Sequence, residues 1–302
     1  MKKTIGLFAI VILATSLADL ADADILRYRG SGDWNLITDG SSPGWGPNPS
    51  GVGTSLPGAS DDARINFGGN TVTVNSMVPT VGRVQIGVDE SGTLMVNSGG
   101  ILSTAGGGDI LVGNNNSNAT GTLIVASGGL VNVNRILWAA NDDSDGVIDI
   151  QNGGQVNVGD HLWWGVTGNA TIDISGTLNQ TGGILGLGTS NASTASGGTA
   201  IVNVLDGGLL ALNNIDGGGN SIFGSSAINI SGSGELTLPG DFVGVLNNYA
   251  NAGQIVGIGG TLTIDTTRNP GFTTAYVSAI PEPTSCFLVS AFACGLFIRR
   301  RS

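Results

Sequence analysis

Few side chains in this sequence have the chemistry to catalyse or to ligate, so each can be weighed singly. His161 is the single histidine and abuts Leu162-Trp163-Trp164, where an imidazole could act as a general base. A base needs a nucleophile within hydrogen-bond reach and a group to orient it. Nothing flanking His161 supplies either, so it reads as a turn residue at a strand start. The acidic pairs Asp61-Asp62 and Asp142-Asp143 raise glycoside hydrolysis, which wants two carboxylates in fixed opposition across a sugar. Lyase chemistry on uronic acids wants a base to take the proton and cations to hold the carboxylate. Arg135 is the only Lys or Arg between Arg83 and Arg268. The sequence therefore assigns no catalytic residue, and a polysaccharide-degrading enzyme is the third reading of its function.

Two binding sites remain to be considered. The run Asn141-Asp142-Asp143-Ser144-Asp145-Gly146 sets oxygen ligands at Asn141, Asp143 and Asp145 ahead of a glycine, the alternation of calcium loops. The bidentate acid such a loop needs at its twelfth position is Asn152 here. Asp and Asn also cap their own backbone in turns with no metal, so calcium is the one cofactor raised, beside the plainer turn. Trp163, on an exposed sheet face, could stack on a sugar ring and make a polysaccharide-binding module. Trp138, Trp163 and Trp164 would otherwise pack between layers of the fold.

The elements that must position these residues follow from composition and repetition. The 302 residues are 40% hydrophobic and only 11% charged, enough apolar material for a core. Glycine numbers 52 without a period of three, and proline only nine, which excludes collagen and leaves the glycines to turns. Gly-Gly pairs follow short alternating runs: Gly92–Val96 before Gly99-Gly100, Gly121–Val125 before Gly128-Gly129, Gly146–Ile150 before Gly153-Gly154. A second run follows each pair, as in Leu130–Val133 and Gln155–Val158. Third runs begin at Val84, Ile110, Ile136, Leu162 and Ile184, spaced 26, 26, 26 and 22. A repeat of that size is a solenoid signature, and period-2 alternation with β-branched residues makes each run a strand. Three strands per repeat and no amphipathic helix between them predict an all-β, single-stranded parallel β-helix of about 22–26 residues per coil. In it Ile86, Val112, Trp138, Trp164 and Gly186 form an inward column, with Gln85, Leu111, Leu137, Trp163 and Leu185 outward. The Gly-His-Gly and Arg-x-Lys segments of pectin-cleaving β-helix enzymes are absent.

The two termini carry addresses. Lys2-Lys3, the apolar run Ile5–Leu13 and Ala21-Asp22-Ala23 have the layout of a secretory signal peptide over residues 1–23, cleaved after Ala23. From Asp24 to Ile280 there are six arginines, no lysine and nineteen acidic residues, a formal charge of −13, which repels nucleic acid. Both cysteines, Cys286 and Cys294, lie outside that body, so it has no disulfide of its own. Residues 24–63, with Trp34, Trp45 and a proline-rich stretch, are expected to cover the first coil. The repeat array spans 64–266, and 267–280 is a linker.

The chain ends with Pro281-Glu282-Pro283, an uncharged apolar stretch from Ser285 to Ile298, and Arg299-Arg300-Arg301. As a short helix that stretch covers about 21 Å, less than the roughly 30 Å of a hydrocarbon core. The three-part ending, residues 281–302, resembles the PEP-CTERM sorting domain of exported proteins in Gram-negative-type bacteria. The resemblance implies transient membrane insertion, recognition and cleavage near Pro281-Glu282-Pro283 by an exosortase-type enzyme, and delivery to the outer surface or an extracellular matrix. It implies nothing about the body, whose expected role is structural or adhesive and non-catalytic, with extracellular polysaccharide the alternative partner.

Overall fold

A computed structural model of the chain describes residues 23–47, 52–115, 118–190, 194–215 and 220–278. The proposed leader up to Asp22 and the sorting tail, with its expected apolar helix, lie outside them. The described chain is nearly all β, a parallel β-solenoid of about seven turns with three sheet faces. Face one has eight strands, ordered in space from Leu185–Leu187 through Leu162–Trp164, Leu137–Ala139, Ile110–Asn114, Arg83–Val88 and Asp62–Ile65 to Ile25–Arg29 and Gly44–Pro47. Face two has nine strands from Gly32–Asp33 to Ile255–Ile258, and face three has eight.

Alternation explains why these segments are strands. Thr120–Val125 and Thr199–Val204 alternate half-exposed and buried side chains residue by residue, as a pleated strand with one wet face must. In-register stacking then lines up like with like. Leu94, Leu123, Ile148, Ile172, Val202 and Ile228 occupy one column of face two, and none of them is exposed. Each such side chain contributes about 1.5–3 kcal/mol on burial, and each coil supplies one per column.

The Gly-Gly pairs do two different jobs. The first glycine takes the left-handed backbone, with φ of 80° at Gly99, 77° at Gly128 and 80° at Gly153, a conformation side chains with a Cβ resist. The second lies against the preceding coil: a Cβ on Gly129 would sit 2.4 Å from the carbonyl oxygen of Val96, and one on Gly154 2.4 Å from that of Val125. The corner is therefore fixed by conformation at one position and by space at the next.

Face one corrects the expected register. The strands pair Val84 with Ile110, Ile110 with Leu137, Leu137 with Leu162 and Leu162 with Leu185. Ile136 and Ile184 are therefore not strand openers; they are equivalent to Asp109 and His161, whose carbonyls accept the corresponding N–H groups of the neighbouring coil. Doublets of apolar residues, Ile136-Leu137 and Ile184-Leu185, hide the phase of a three-residue strand. A one-residue slip moves every side chain to the other face. Leu137 and Leu185 thus point inward with Trp164, whereas Trp138 and Gly186 join Gln85, Leu111 and Trp163 on the outward column.

The ends depart from the repeat. Ile25–Arg29 runs parallel to Asp62–Ile65 but antiparallel to Gly44–Pro47. Behind them Trp34 and Trp45 are fully buried, their ring centres 4.6 Å apart, and Trp45 Nε1 donates to the Trp34 carbonyl at 2.8 Å. At the other end Val243–Asn251 forms the sole α-helix among the described residues and buries Leu246 and Tyr249. Residues expected to be a linker are instead partly folded. Phe272–Ser278 pairs antiparallel with both Glu235–Pro239 and Thr261–Asp265, because its β-branched and aromatic Phe, Thr, Tyr and Val suit a strand.

Candidate functional site

His161 sits at the corner before Leu162–Trp164. Its Nδ1 accepts a hydrogen bond from the Ile184 N–H of the next coil at 3.0 Å. Its Nε2 lies 3.3 Å from Asp160 Oδ1, and its ring stacks on Trp163 with centres 4.7 Å apart. Because Nδ1 accepts, the neutral ring must carry its proton on Nε2; Nδ1 thus joins two coils, while Nε2 faces the adjacent Asp160 of its own coil. The Asp160 carbonyl in turn accepts from Gln180 Nε2 at 2.8 Å.

Trp163 does face outward, but its expected exposure fails: only 5% of it is accessible. It packs with Ile136 and Val166, against Trp138 and Ile184, in a small apolar cluster outside the sheet. Its ring also lies over Gly186, where a Cβ would come within 2.2 Å of the indole. That glycine is the space into which the ring fits. An indole this enclosed has no free face for a sugar.

The Asn141–Gly146 segment is a tight turn with Asp142 and Asp143 at φ of 52° and 62°. Asn141 Nδ2 donates to Asn114 Oδ1 of the preceding coil at 2.8 Å. The Asp143 N–H is held by Thr167 Oγ1 at 2.8 Å, and Asp145 Oδ1 accepts from Asn169 at 3.3 Å. Asn141 and Asp145 thus bond to separate neighbours through their side chains and Asp143 through its backbone N–H, and no cluster of three His, Cys, Asp or Glu suited to a metal occurs among the described residues.

Sequence reasoning missed the ionic clamps. Asp62, at a corner of face one, accepts from Arg64, from Arg83 at 2.7 Å and from Gln85 at 2.9 Å. Arg135 embraces Asp109 with two nitrogens, and Asp109 also takes the Ile136 N–H at 3.0 Å. These hydrogen bonds, to Asp109 and Asp62 respectively, push the Arg135 and Arg83 guanidiniums further above their ordinary range. Near the C-terminal end Arg268 pairs with Glu235 at 2.6 Å and lies over the Tyr276 ring, 4.1 Å from its centre. Asp62 with Arg83 and Asp109 with Arg135, 21 and 26 residues apart, are one coil apart in a solenoid, which is the only signal the sequence offered for them.

The tail residues Pro281, Glu282, Pro283, Arg299, Arg300 and Arg301 lie outside the described residues. Among the described residues no helix is long and apolar enough to cross a membrane. No family model, curated protein or solved structure matches the chain.

Proposed function

We propose that this chain is an exported, non-catalytic scaffold or adhesin of a bacterial surface or extracellular matrix, addressed by its leader and sorted through its C-terminal tail. The observation that supports a structural role is where the chemically capable side chains go. Asp62, Asp109, Arg83, Arg135 and His161 each bond across to an adjacent coil, leaving the coils fastened rather than a reaction centre assembled. The tail's three-part order supports handling by the secretion machinery and then by an exosortase-type enzyme.

Mass spectrometry of the protein recovered from culture medium and from membranes tests the sorting. Surface material is expected to begin at Asp24 and to end near Pro281-Glu282-Pro283. An intact tail through Arg301 in that material would overturn the processing. Incubation with neutral and uronic-acid polysaccharides is expected to release no new reducing ends or unsaturated products; either product would overturn the non-catalytic reading.

A further inference from the structure

The outer side of face three carries a polar ladder that stops short. Asn132 Nδ2 donates to Ser103 Oγ at 3.1 Å, and Asn157 Nδ2 donates to Asn132 Oδ1 at 2.9 Å. Asn179 is next in register after Asn157, and Ala211 and Thr237 follow it. No hydrogen bond engages the Asn179 amide among the described residues, and Ala211 has no polar atom to meet it. Where the ladder ends, a groove of about 550 Å³ opens, lined by Asn179, Leu209, Ala211, Thr237, Asn269 and Phe272 among others. Phe272 is 44% exposed.

We propose that this groove binds a short segment of a neutral carbohydrate chain. Its volume falls within the range of small-molecule sites. It combines an exposed aromatic ring and the aliphatic Leu209 with an unpartnered amide and the Thr237 hydroxyl. That mixture suits a sugar, which has an apolar C–H face to lie on an aromatic ring and hydroxyls at its edge for directional bonds. Among the described residues the formal charges bordering the groove are closed on each other: Glu235 is paired with Arg268 and also accepts from Asn269 at 3.2 Å. A charged ligand therefore finds no free counter-charge, and a polyanion meets the repulsion of an acidic body.

A peptide fits poorly for a backbone reason. Adding a strand requires an open sheet edge, whereas Leu209–Ala211, Glu235–Pro239 and Phe272–Ser278 are each hydrogen-bonded on both sides. From Asn179 to the far side of Glu235–Pro239, the groove crosses three strands and the antiparallel one beyond, roughly 15 Å at the usual strand spacing. The binding face thus lies on face three, one to three coils beyond the coil of the face-one indole to which the sequence pointed, and it does not depend on how the protein is exported.

Calorimetry on the full-length chain with gluco-, xylo- and manno-oligosaccharides, and with trigalacturonate as the charged comparator, tests the site. At least one neutral series is expected to bind, and trigalacturonate to bind at least about tenfold more weakly. Phe272→Ala should weaken the neutral ligand about tenfold. Ala211→Gln, which fills the groove floor from an outward position, should abolish binding with the melting temperature unchanged. If Phe272→Ala lowers the melt, the Ala211→Gln result decides. Absence of binding by every neutral series, equal binding in both variants, or preference for trigalacturonate would each overturn the proposal.

Discussion

The middle coils and the two ends of this solenoid are held by different chemistry. Between Gly92 and Ser231 the interior is, Trp164 apart, aliphatic and repetitive, and each side chain is sandwiched by its equivalents in the coils before and after. At the ends a coil has a neighbour on one side only, and the composition changes. Tyr28, Trp34 and Trp45 are buried towards one end, with Tyr28 and Trp45 meeting edge to face at 5.1 Å; Leu246 and Tyr249 of the helix are buried at the other. Strand direction changes too. Gly44–Pro47 and Phe272–Ser278 both run antiparallel to the strands they join, so the parallel register cannot simply continue into another coil, as an open edge would invite. A stack of like units needs only complementary faces, whereas its termination needs unlike residues.

Trp45→Ala is the largest expected disturbance of that contrast. It removes a fully buried ring and leaves its neighbours Tyr28 and Trp34 without a partner, a change that costs about 3–5 kcal/mol. Because coils couple to nearest neighbours, amide exchange should rise first across Ile25–Ile65 and fall off towards the middle coils. Uniform acceleration along the whole solenoid would break the distinction between end and middle.

Asp62→Ala strikes the seam where the N-terminal strands meet the first regular coil. It leaves Arg64 and Gln85 without their shared acceptor and frees Arg83. Asp62 is mostly buried but Arg83 is half exposed, so solvent compensates part of the loss, and about 2 kcal/mol is expected rather than the full cost of orphaning a buried charge. Chemical denaturation of Asp62→Ala beside Asp62→Asn measures it. Asparagine keeps an acceptor and should recover part of the loss; equal destabilisation by both would show that charge, not acceptance, matters at this corner.

The fold was legible because it rests on repetition. The Gly-Gly corners and the alternation of Thr120–Val125 or Thr199–Val204 repeat seven-odd times, and each copy corroborates the next. Face one was misread by one residue because its strands are short and apolar on both sides, so Ile136-Leu137 carries no period. The ionic clamps and the groove were not legible, since Asp109 with Arg135 or Asn179 with Phe272 are joined only by the coil geometry. Trp163 illustrates the same limit. Its outward direction could be read from alternation, but its cover by Ile136, Val166 and His161 comes from corners, whose paths alternation does not describe.

A smaller effect separates the N-terminal end by pH. Burial, and then the nearby Asp33 charge, push the Tyr28 hydroxyl up to about 12 from 10.0, while that hydroxyl donates to the Asp33 carbonyl at 2.6 Å. A raised value means the folded state keeps its proton longer than the unfolded one. The contribution is therefore fully present below about pH 10 and is lost as pH rises through about 12. The rise from 10.0 to about 12 bounds it at about 3 kcal/mol, of which only the part titrated at an accessible pH is seen. Denaturation midpoints of the parent should fall relative to Tyr28→Phe between these pH values; parallel curves would remove Tyr28 from the account.

The smallest expected effect has the opposite sign and lies in the middle coils. On the outward side of face two, Asp149 and Asp173 are directly opposed in adjacent strands, about 4.8 Å apart along the hydrogen-bonding direction. Like charges so placed repel. Asp173 Oδ1 accepts from Asn203 Nδ2 at 2.7 Å, and Asn203 Oδ1 accepts from Asn229 at 3.0 Å, so a ladder of amides already leads up to this carboxylate. Asp173→Asn retains an oxygen to accept from Asn203, adds an amide that can donate to Asp149, and removes the repulsion. It should stabilise the protein by a few tenths of a kcal/mol. The gain should shrink in about 1 M salt, where screening has already weakened the repulsion in the parent. A loss of stability at low salt would mean that the acidic pair is balanced by its surroundings, and that the middle coils, like the ends, depend on specific charges.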